Sequence, residues 1–473
     1  MRQNGSMVVL ALALGLPSWG GCYLFHGLDA RSPDADPSPT PAPHDAGLPG
    51  RRDAGPPPTP MPIDGGPLPD DEPDVVPGER PSDDPSAGGW IDPPPAGSNP
   101  CCDVGEVIGL DDPERPTTRP VIAWNGREWG VAWQDEERTG APDPAFRVRF
   151  RRLDRAARPT SAAADVPGVS GFPSALAWGG GRFGLLTTAP EDARVVAPSA
   201  TLAVLDAEGR LVDWAPVAAS EHGGALARYE LAHGWAMATY RDIDGGGRGE
   251  SRLVVYGGAL DLRAERSLGE TRYHDHVSLA IVSMKSSLVV AQSRDDGIAL
   301  RTFTGGTLDE GPSALFDAGL ALAPPRGTGG AAGALGATRF RDTVVVAANG
   351  SDAIRVAVFD PYRGALLGSP AVVGTTTMST SPGIGADDQG GTIGICYPTS
   401  VEGATEPNGI DFVLIGPDGA RIGAPVTIAD GLSFVTACAV GASGRDEYTV
   451  VFLVASWSSP RHSIRAARVR VRR

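Results

Sequence analysis

The residues able to do chemistry are few and scattered along this chain. Among seven histidines, His274 and His276 flank Asp275, where strand alternation places both imidazoles on one face. A metal site needs a third ligand at a readable spacing, and none is present, since His222 and His233 stand well upstream. These histidines are therefore expected as solvated turn or edge residues, with no metal assigned. Besides Cys22, the cysteines are Cys101, Cys102, Cys396 and Cys438, an even set that suits disulfides in an oxidising compartment. Adjacent cysteines are not at ligand spacing, which sets a thiolate metal site aside. No H-E-x-x-H, G-x-S-x-G, P-loop or dinucleotide fingerprint occurs, so catalysis by those routes is not expected.

Two acidic segments come nearer to known sites. Asp242-Ile243-Asp244-Gly245-Gly246-Gly247 resembles the opening of a calcium loop. Gly246 replaces the third side-chain ligand, however, and Leu253 stands where a bidentate Glu is required. Calcium is thus the one cofactor considered, and no metal residues are assigned. Ser293-Arg294-Asp295-Asp296-Gly297 resembles the S-x-D-x-G Asp-box turn of sialidase-like propellers. It occurs once, in what is read as a second-to-third strand loop, and no arginine triad accompanies it, so it reads as an ordinary turn.

The elements that must position these residues emerge from an internal repeat. Residues 119–133 form two apolar strands about a tight Asn125-Gly126 hairpin, and residues 173–186 repeat the design. The large apolar residue after each hairpin recurs as Trp129, Phe183, Trp235, Leu288, Val344, Ile393 and Tyr448, at steps of 54, 52, 53, 56, 49 and 55 residues. A third strand and a second turn follow, with Asp206-Ala207-Glu208-Gly209 and Pro417-Asp418-Gly419 as explicit turn signals. A four-stranded sheet cannot bury both faces alone; radial stacking of such units gives an all-β propeller, with a β-sandwich pair or β-helix as the alternative, and seven markers argue for seven four-stranded blades, six or eight remaining open because units four and five are degenerate.

The seventh unit lacks one strand at the end of the chain, while Val104–Leu110 is an apolar strand without a partner before the first unit. This predicts that Val104–Leu110 is the outer strand of blade seven, closing the ring. All four domain cysteines would then gather at the seam, with bridges expected from Cys101 and Cys102 into units six and seven. Acidic residues also recur after the second strand of successive units: Asp135, Glu136, Glu137, Glu191, Asp192, Asp242, Asp244, Asp295, Asp296, Asp352, Glu402 and Glu406. Equivalent loops of a propeller share one face, so these acids would ring one mouth of the channel and attract a cation or a basic partner.

Three regions follow: residues 1–21 as a signal peptide, 22–100 as a stalk and 101–473 as the propeller. Arg2, the apolar run Met7–Leu16 and small residues before Cys22 have the parts of a secretory signal, and the run is too short to span a bilayer. Residues 31–100 hold 21 prolines, with almost no aromatics to offset chain entropy, so this Pro/Asp-rich linker is expected to be disordered and extended. It carries 13 acids against four arginines, a net of minus 9, which leaves minus 7 of the chain's minus 16 for the propeller. A repulsive field of this sign argues against nucleic acid as a partner.

Gly20-Gly21-Cys22 resembles the lipobox of bacterial lipoproteins, with Trp19 where that family has an aliphatic residue. The resemblance implies acylation of Cys22 and, with Tyr23 after it, the outer membrane or cell surface. The wording of residues 120–133, P-x-x-A-W-N-G-x-x-W-G-V-A-W, resembles repeats in surface lipoproteins of myxobacteria and their relatives. That likeness implies architecture and location without a catalytic assignment. The expectation is a membrane-anchored, monomeric binding or scaffold platform for a protein or glycan. The alternative is a secreted lyase or hydrolase acting on glycans. Largely apolar inner strands such as Val121-Ile122-Ala123-Trp124 favour binding.

Overall fold

The computed structural model describes residues 100–472 except 112–116, 138–144, 170, 189–199, 218–220, 243–247, 273–277, 295–296, 318–334, 351–352, 376–381, 400–407, 433 and 456–461. The expected signal, Cys22 and the stalk lie outside the described residues. What is described is a seven-bladed β-propeller.

The chain opens with β1 (Cys102–Gly109). Blade one is β2 (Thr117–Trp124), β3 (Trp129–Glu137), β4 (Ala145–Leu153) and β5 (Ala164–Asp165), ordered from the channel outward. Blade two is β6 (Phe172–Gly179), β7 (Arg182–Thr188), β8 (Ala200–Leu205) and β9 (Leu211–Val217). Blade three is β10 (Glu221–Tyr229), β11 (Gly234–Asp242), β12 (Arg248–Tyr256) and β13 (Leu262–Arg272). Blade four is β14 (Leu279–Ser283), β15 (Ser287–Arg294), β16 (Gly297–Thr304) and β17 (Asp309–Phe316). In blade five, β18 (Leu335–Phe340), β19 (Thr343–Asn349) and β20 (Ala353–Asp360) are followed by a fourth strand split into β21 (Ala365–Leu366) and β22 (Ala371–Thr375), both paired with β20. Blade six is β23 (Gly383–Asp387), β24 (Thr392–Thr399), β25 (Gly409–Ile415) and β26 (Arg421–Ala429). Blade seven takes β27 (Phe434–Gly444), β28 (Glu447–Ala455) and β29 (Ser463–Val471) from the end of the chain and β1 from its beginning.

The closing strand is the one expected from sequence. β1 pairs antiparallel with β29, with Cys102 opposite Val471 and Gly109 opposite Arg465. An Asp103–Arg472 ion pair flanks one end of this ladder, and at the other the Ile464 amide donates to Asp111 at 2.9 Å. β1 thereby covers the outer edge of β29, the last strand of the chain.

Turn chemistry sets the local geometry. Asn125 Oδ1 accepts from the amides of Arg127 and Glu128 at 2.8 and 2.7 Å, and Gly126 takes φ 93°, open to a residue without a Cβ. Asp154, Asp206 and Asp418 do the same at third-to-fourth strand turns, each accepting from the amide two residues on.

Each of the seven apolar clusters lies between two neighbouring sheets, so the core is a set of interlayers. The last of these joins Val451, Leu453 and Ile464 of blade seven to Trp129, Val131 and Trp133 of blade one, closing the ring through side chains as well as through β1. All seven marker residues are buried. The glycine after several of them receives the next blade's aromatic ring: a Cβ on Gly130 would lie 2.7 Å from Phe183, and one on Gly184 would lie 2.7 Å from Trp235. The Trp-Gly and Phe-Gly dipeptides of the repeat are thus knob and hole of the blade-to-blade contact.

Candidate functional site

Hairpins between first and second strands project toward one face, and loops between second and third strands toward the other. On the hairpin face, the innermost strands of blades two to five surround a recess of about 660 Å³. Its walls are Ala177 and Trp178 of β6, Ala227 and Arg228 of β10, Ile281 and Val282 of β14, and Ala337 to Arg339 of β18. The strands reach it because their alternating small and apolar residues pack edge to edge around the channel.

Three cations converge here. Arg228 lies with its guanidinium carbon 5.2 Å from the centroid of the Trp235 ring. The Gly179-Gly180-Gly181 turn makes room for it: a Cβ on Gly179 would sit 2.3 Å from Arg228 Cγ, and one on Gly180 would sit 2.8 Å from Nη2. Burial lowers the Arg228 pKa, with the Glu230 carboxylate acting the other way. Arg339 Nε donates to the Arg341 carbonyl at 2.8 Å. Lys285 is the only lysine of the 473-residue chain and is exposed at the rim. Among the described residues none of the three has a carboxylate within ion-pair distance. By contrast, Arg149, Arg152, Arg252, Arg301 and Arg468 elsewhere in the ring are each paired with an acid.

The other lining groups complete the picture. Trp178 is half-buried and meets Phe183 edge-on at 4.5 Å, leaving part of its indole toward the recess. Glu230 is the one acidic lining residue, and His233, at φ 47°, closes a single 3-10 turn by donating its amide to the Glu230 carbonyl. The Ser283 hydroxyl donates to the Met284 carbonyl. The arrangement can hold negative charge against an apolar and aromatic wall.

The residues singled out from sequence fall elsewhere. Asp135 is a correction: it is buried, accepts a 3.0 Å hydrogen bond from the Trp133 indole and pairs with Arg149 at 3.1 Å. It locks β3 to β4 and does not belong to an acidic face. Glu136, Glu137 and Asp242 end their strands at the opposite mouth, and Asp244, Asp295 and Asp296 lie outside the described residues, as do His274 and His276. The described residues contain no cluster of three metal-ligating side chains, a statement that does not reach the calcium-like loop at 243–247. Ser293 and Arg294 end β15 and Gly297 begins β16, so the Asp-box-like segment does sit between a second and a third strand.

The cysteines gather at the seam as expected, all four in one cluster between blades six and seven. Their pairing differs. Cys396 of β24 bonds Cys438 of β27, while Cys101 and Cys102 are bridged to neither. Alternation explains this: Gly383, opposite Cys396 in blade six, has no side chain and lies directly beneath the Cys438 backbone, so the two Cβ atoms face one another across the interlayer.

Sequence reasoning passed over Arg228, Lys285 and Arg339. Arg228 and Arg339 stand opposite the marker residues Trp235 and Val344 of their units, and Lys285 lies in the hairpin that precedes the marker Leu288.

No family profile and no curated protein matches this chain. Several solved structures align with it at low identity. A protein of unknown function from Dyadobacter fermentans aligns over 79% of this chain and 100% of its own at 8% identity and a TM-score of 0.46. The endosialidase of phage phi92 aligns over 78% and 69% at 8% identity and 0.45. Trypanosoma rangeli sialidase in complex with sialic acid aligns over 79% and 59% at 10% identity and 0.46. Likeness of this depth carries no argument about this chain's ligand or activity.

Proposed function

We propose that this protein is an exported, lipid-anchored binding platform whose propeller captures an anionic saccharide or similar carboxylate- or sulfate-bearing ligand at the hairpin-face mouth of its channel. The observation that carries this reading is the convergence of Arg228, Lys285 and Arg339 on one recess beside Trp178, none of them in an ion pair among the described residues. Arginine and lysine donors bind carboxylate and sulfate oxygens through charge-assisted hydrogen bonds, and an indole face suits the apolar side of a sugar ring. Anchoring rests on the sequence alone, through Cys22 and the signal before it. The proline-dense stalk would hold the ring away from the bilayer at up to about 3.1 Å per residue.

The test is calorimetric titration of the full chain with uronate, sialate, sulfated and neutral oligosaccharides. Binding of an anionic series that weakens with salt, and that falls by about tenfold or more in Arg228→Gln or Lys285→Gln, is expected from the worth of one hydrogen bond to a charged group. Preference for neutral sugars, or unchanged affinity in the triple variant with Arg339→Gln, overturns the ligand class. Anchoring is tested separately by cell fractionation: Cys22→Ser should move the protein from the membrane to the soluble fraction, and retention in the membrane refutes the anchor.

A further inference from the structure

Disulfide chemistry at the seam does not end with Cys396–Cys438. Cys101 and Cys102 are both buried, at 6% and 1% exposure, and their sulfurs lie 2.6 Å apart, with the Cys102 thiol donating to Cys101 Sγ. The only other cysteines of the ring are already joined to each other. The backbone here is fixed from both sides: the Cys101 amide donates to the Ala424 carbonyl of blade six, and the Arg472 amide donates to the Cys101 carbonyl. The two thiols thus face each other at the first residues of the strand that closes the propeller.

We infer that Cys101 and Cys102 are oxidised to a vicinal disulfide in the exported protein, making the start of the closing strand β1 a second covalent site at the seam. Formation follows thiol–disulfide exchange with a disulfide donor, either a small disulfide or an oxidised dithiol protein of the export compartment. The Cys101 thiolate attacks one donor sulfur, forming a mixed disulfide and expelling the other as thiolate. The Cys102 thiolate then attacks Cys101 Sγ and releases the second donor sulfur. One S–S bond forms and one is lost; the two electrons and two protons end on the donor as thiols. The same exchange can begin at Cys102, since it takes place before the pair is buried.

Burial decides when this happens. A donor cannot reach sulfurs enclosed between blades six and seven, so exchange precedes docking of β1 on β29. Once the ring is shut, the bond is shielded from reductant until β1 opens. Its two Cα atoms are neighbours in sequence, about 3.8 Å apart across a trans peptide, below the usual range of about 4.4–6.8 Å for a disulfide. Such a bond is the more reducible of the two at the seam, once exposed.

The test is peptide mass spectrometry of the full chain, exported into an oxidising compartment, denatured without reductant in the presence of iodoacetamide, and digested. The expected peptide containing Cys101 and Cys102 is unlabelled and lighter than the dithiol by two hydrogens. Two carbamidomethyl groups on that peptide, or its cross-linking to a peptide containing Cys396 or Cys438, overturns the inference. Two variants keep the result independent of yield. Cys102→Ser should leave Cys101 labelled with Cys396–Cys438 intact, and Cys396→Ser should label Cys438 while residues 101 and 102 stay unlabelled. A bridge from Cys438 to the N-terminal pair in the latter variant refutes the assignment.

Discussion

Gly184→Ala adds one methyl group where the Trp235 ring already lies, at 2.7 Å from Cε3 and Cζ3 and 2.9 Å from Cδ2. Trp235 is 1% exposed and has the Arg228 guanidinium packed over its ring, so it has little room to turn. Overpacking of this kind costs about 1–3 kcal/mol, and replacing glycine by alanine in a strand returns about 0.5–1 kcal/mol. The net destabilisation is about 1–2 kcal/mol. With an unfolding entropy of ~2.1 cal/mol/K per residue and roughly 370 residues in the ring, Tm should fall by about 1–3 °C in differential scanning fluorimetry. The control is Gly109→Ala, where nothing lies within 4 Å of the added Cβ, so only the strand gain remains and Tm should rise by about 1 °C. Trp235→Leu removes the clashing ring atoms at a large cost of its own, so the double variant should lose at least about 0.5 kcal/mol less than the sum of the singles. A Gly184→Ala variant as stable as the parent, or strictly additive effects, would refute the knob-and-hole account of the repeat.

Three further outcomes follow from the same structure. Replacing Cys396 and Cys438 with serine removes a bridge between blades six and seven that spans 42 residues, which chain-entropy arguments value at about 4 kcal/mol; non-reduced thermal melts should fall by about 5 °C, and an unchanged Tm refutes a stabilising role. Asp411, on β25, has its pKa raised by burial, opposed by a hydrogen bond from Thr427 at 2.9 Å. A raised folded-state pKa means that its contribution is fully present below the ordinary carboxylate pKa of about 3.9 and is lost as pH rises through the folded value, so Asp411→Asn should stabilise at neutral pH with the gain vanishing in acid; a gain that grows on acidification contradicts the sign. Deleting residues 101–110 exposes the outer edge of β29, and size-exclusion chromatography should show aggregation or dimers by edge pairing; a well-folded monomer of unchanged melting temperature would show that β1 does not close the ring.

Much of the architecture was legible in one dimension. Marker spacing near one blade length, hairpin and turn signals such as Asn125-Gly126 and Pro417-Asp418-Gly419, and a spare strand at Val104–Leu110 pointed to seven blades and to the closure, because a propeller is a sum of local sheets in which contacts run mainly within a unit and to its neighbour. Blade five, whose fourth strand is split into β21 and β22, was the least readable for the same reason: no single apolar run marks it.

What the sequence alone could not determine is which side chains meet across blades. Asp135 reads as a loop acid, yet its strand position turns it inward onto Trp133 and Arg149, since one residue of register decides the face. Four cysteines allow three pairings, and the choice of Cys396–Cys438 depends on the space left by Gly383, a contact between units. Arg228, Lys285 and Arg339 are more than a hundred residues apart from first to last, and become one recess only when the ring brings equivalent hairpins to one mouth. Repetition along the chain encodes the blades; the site arises from their arrangement around the axis, which no single blade contains.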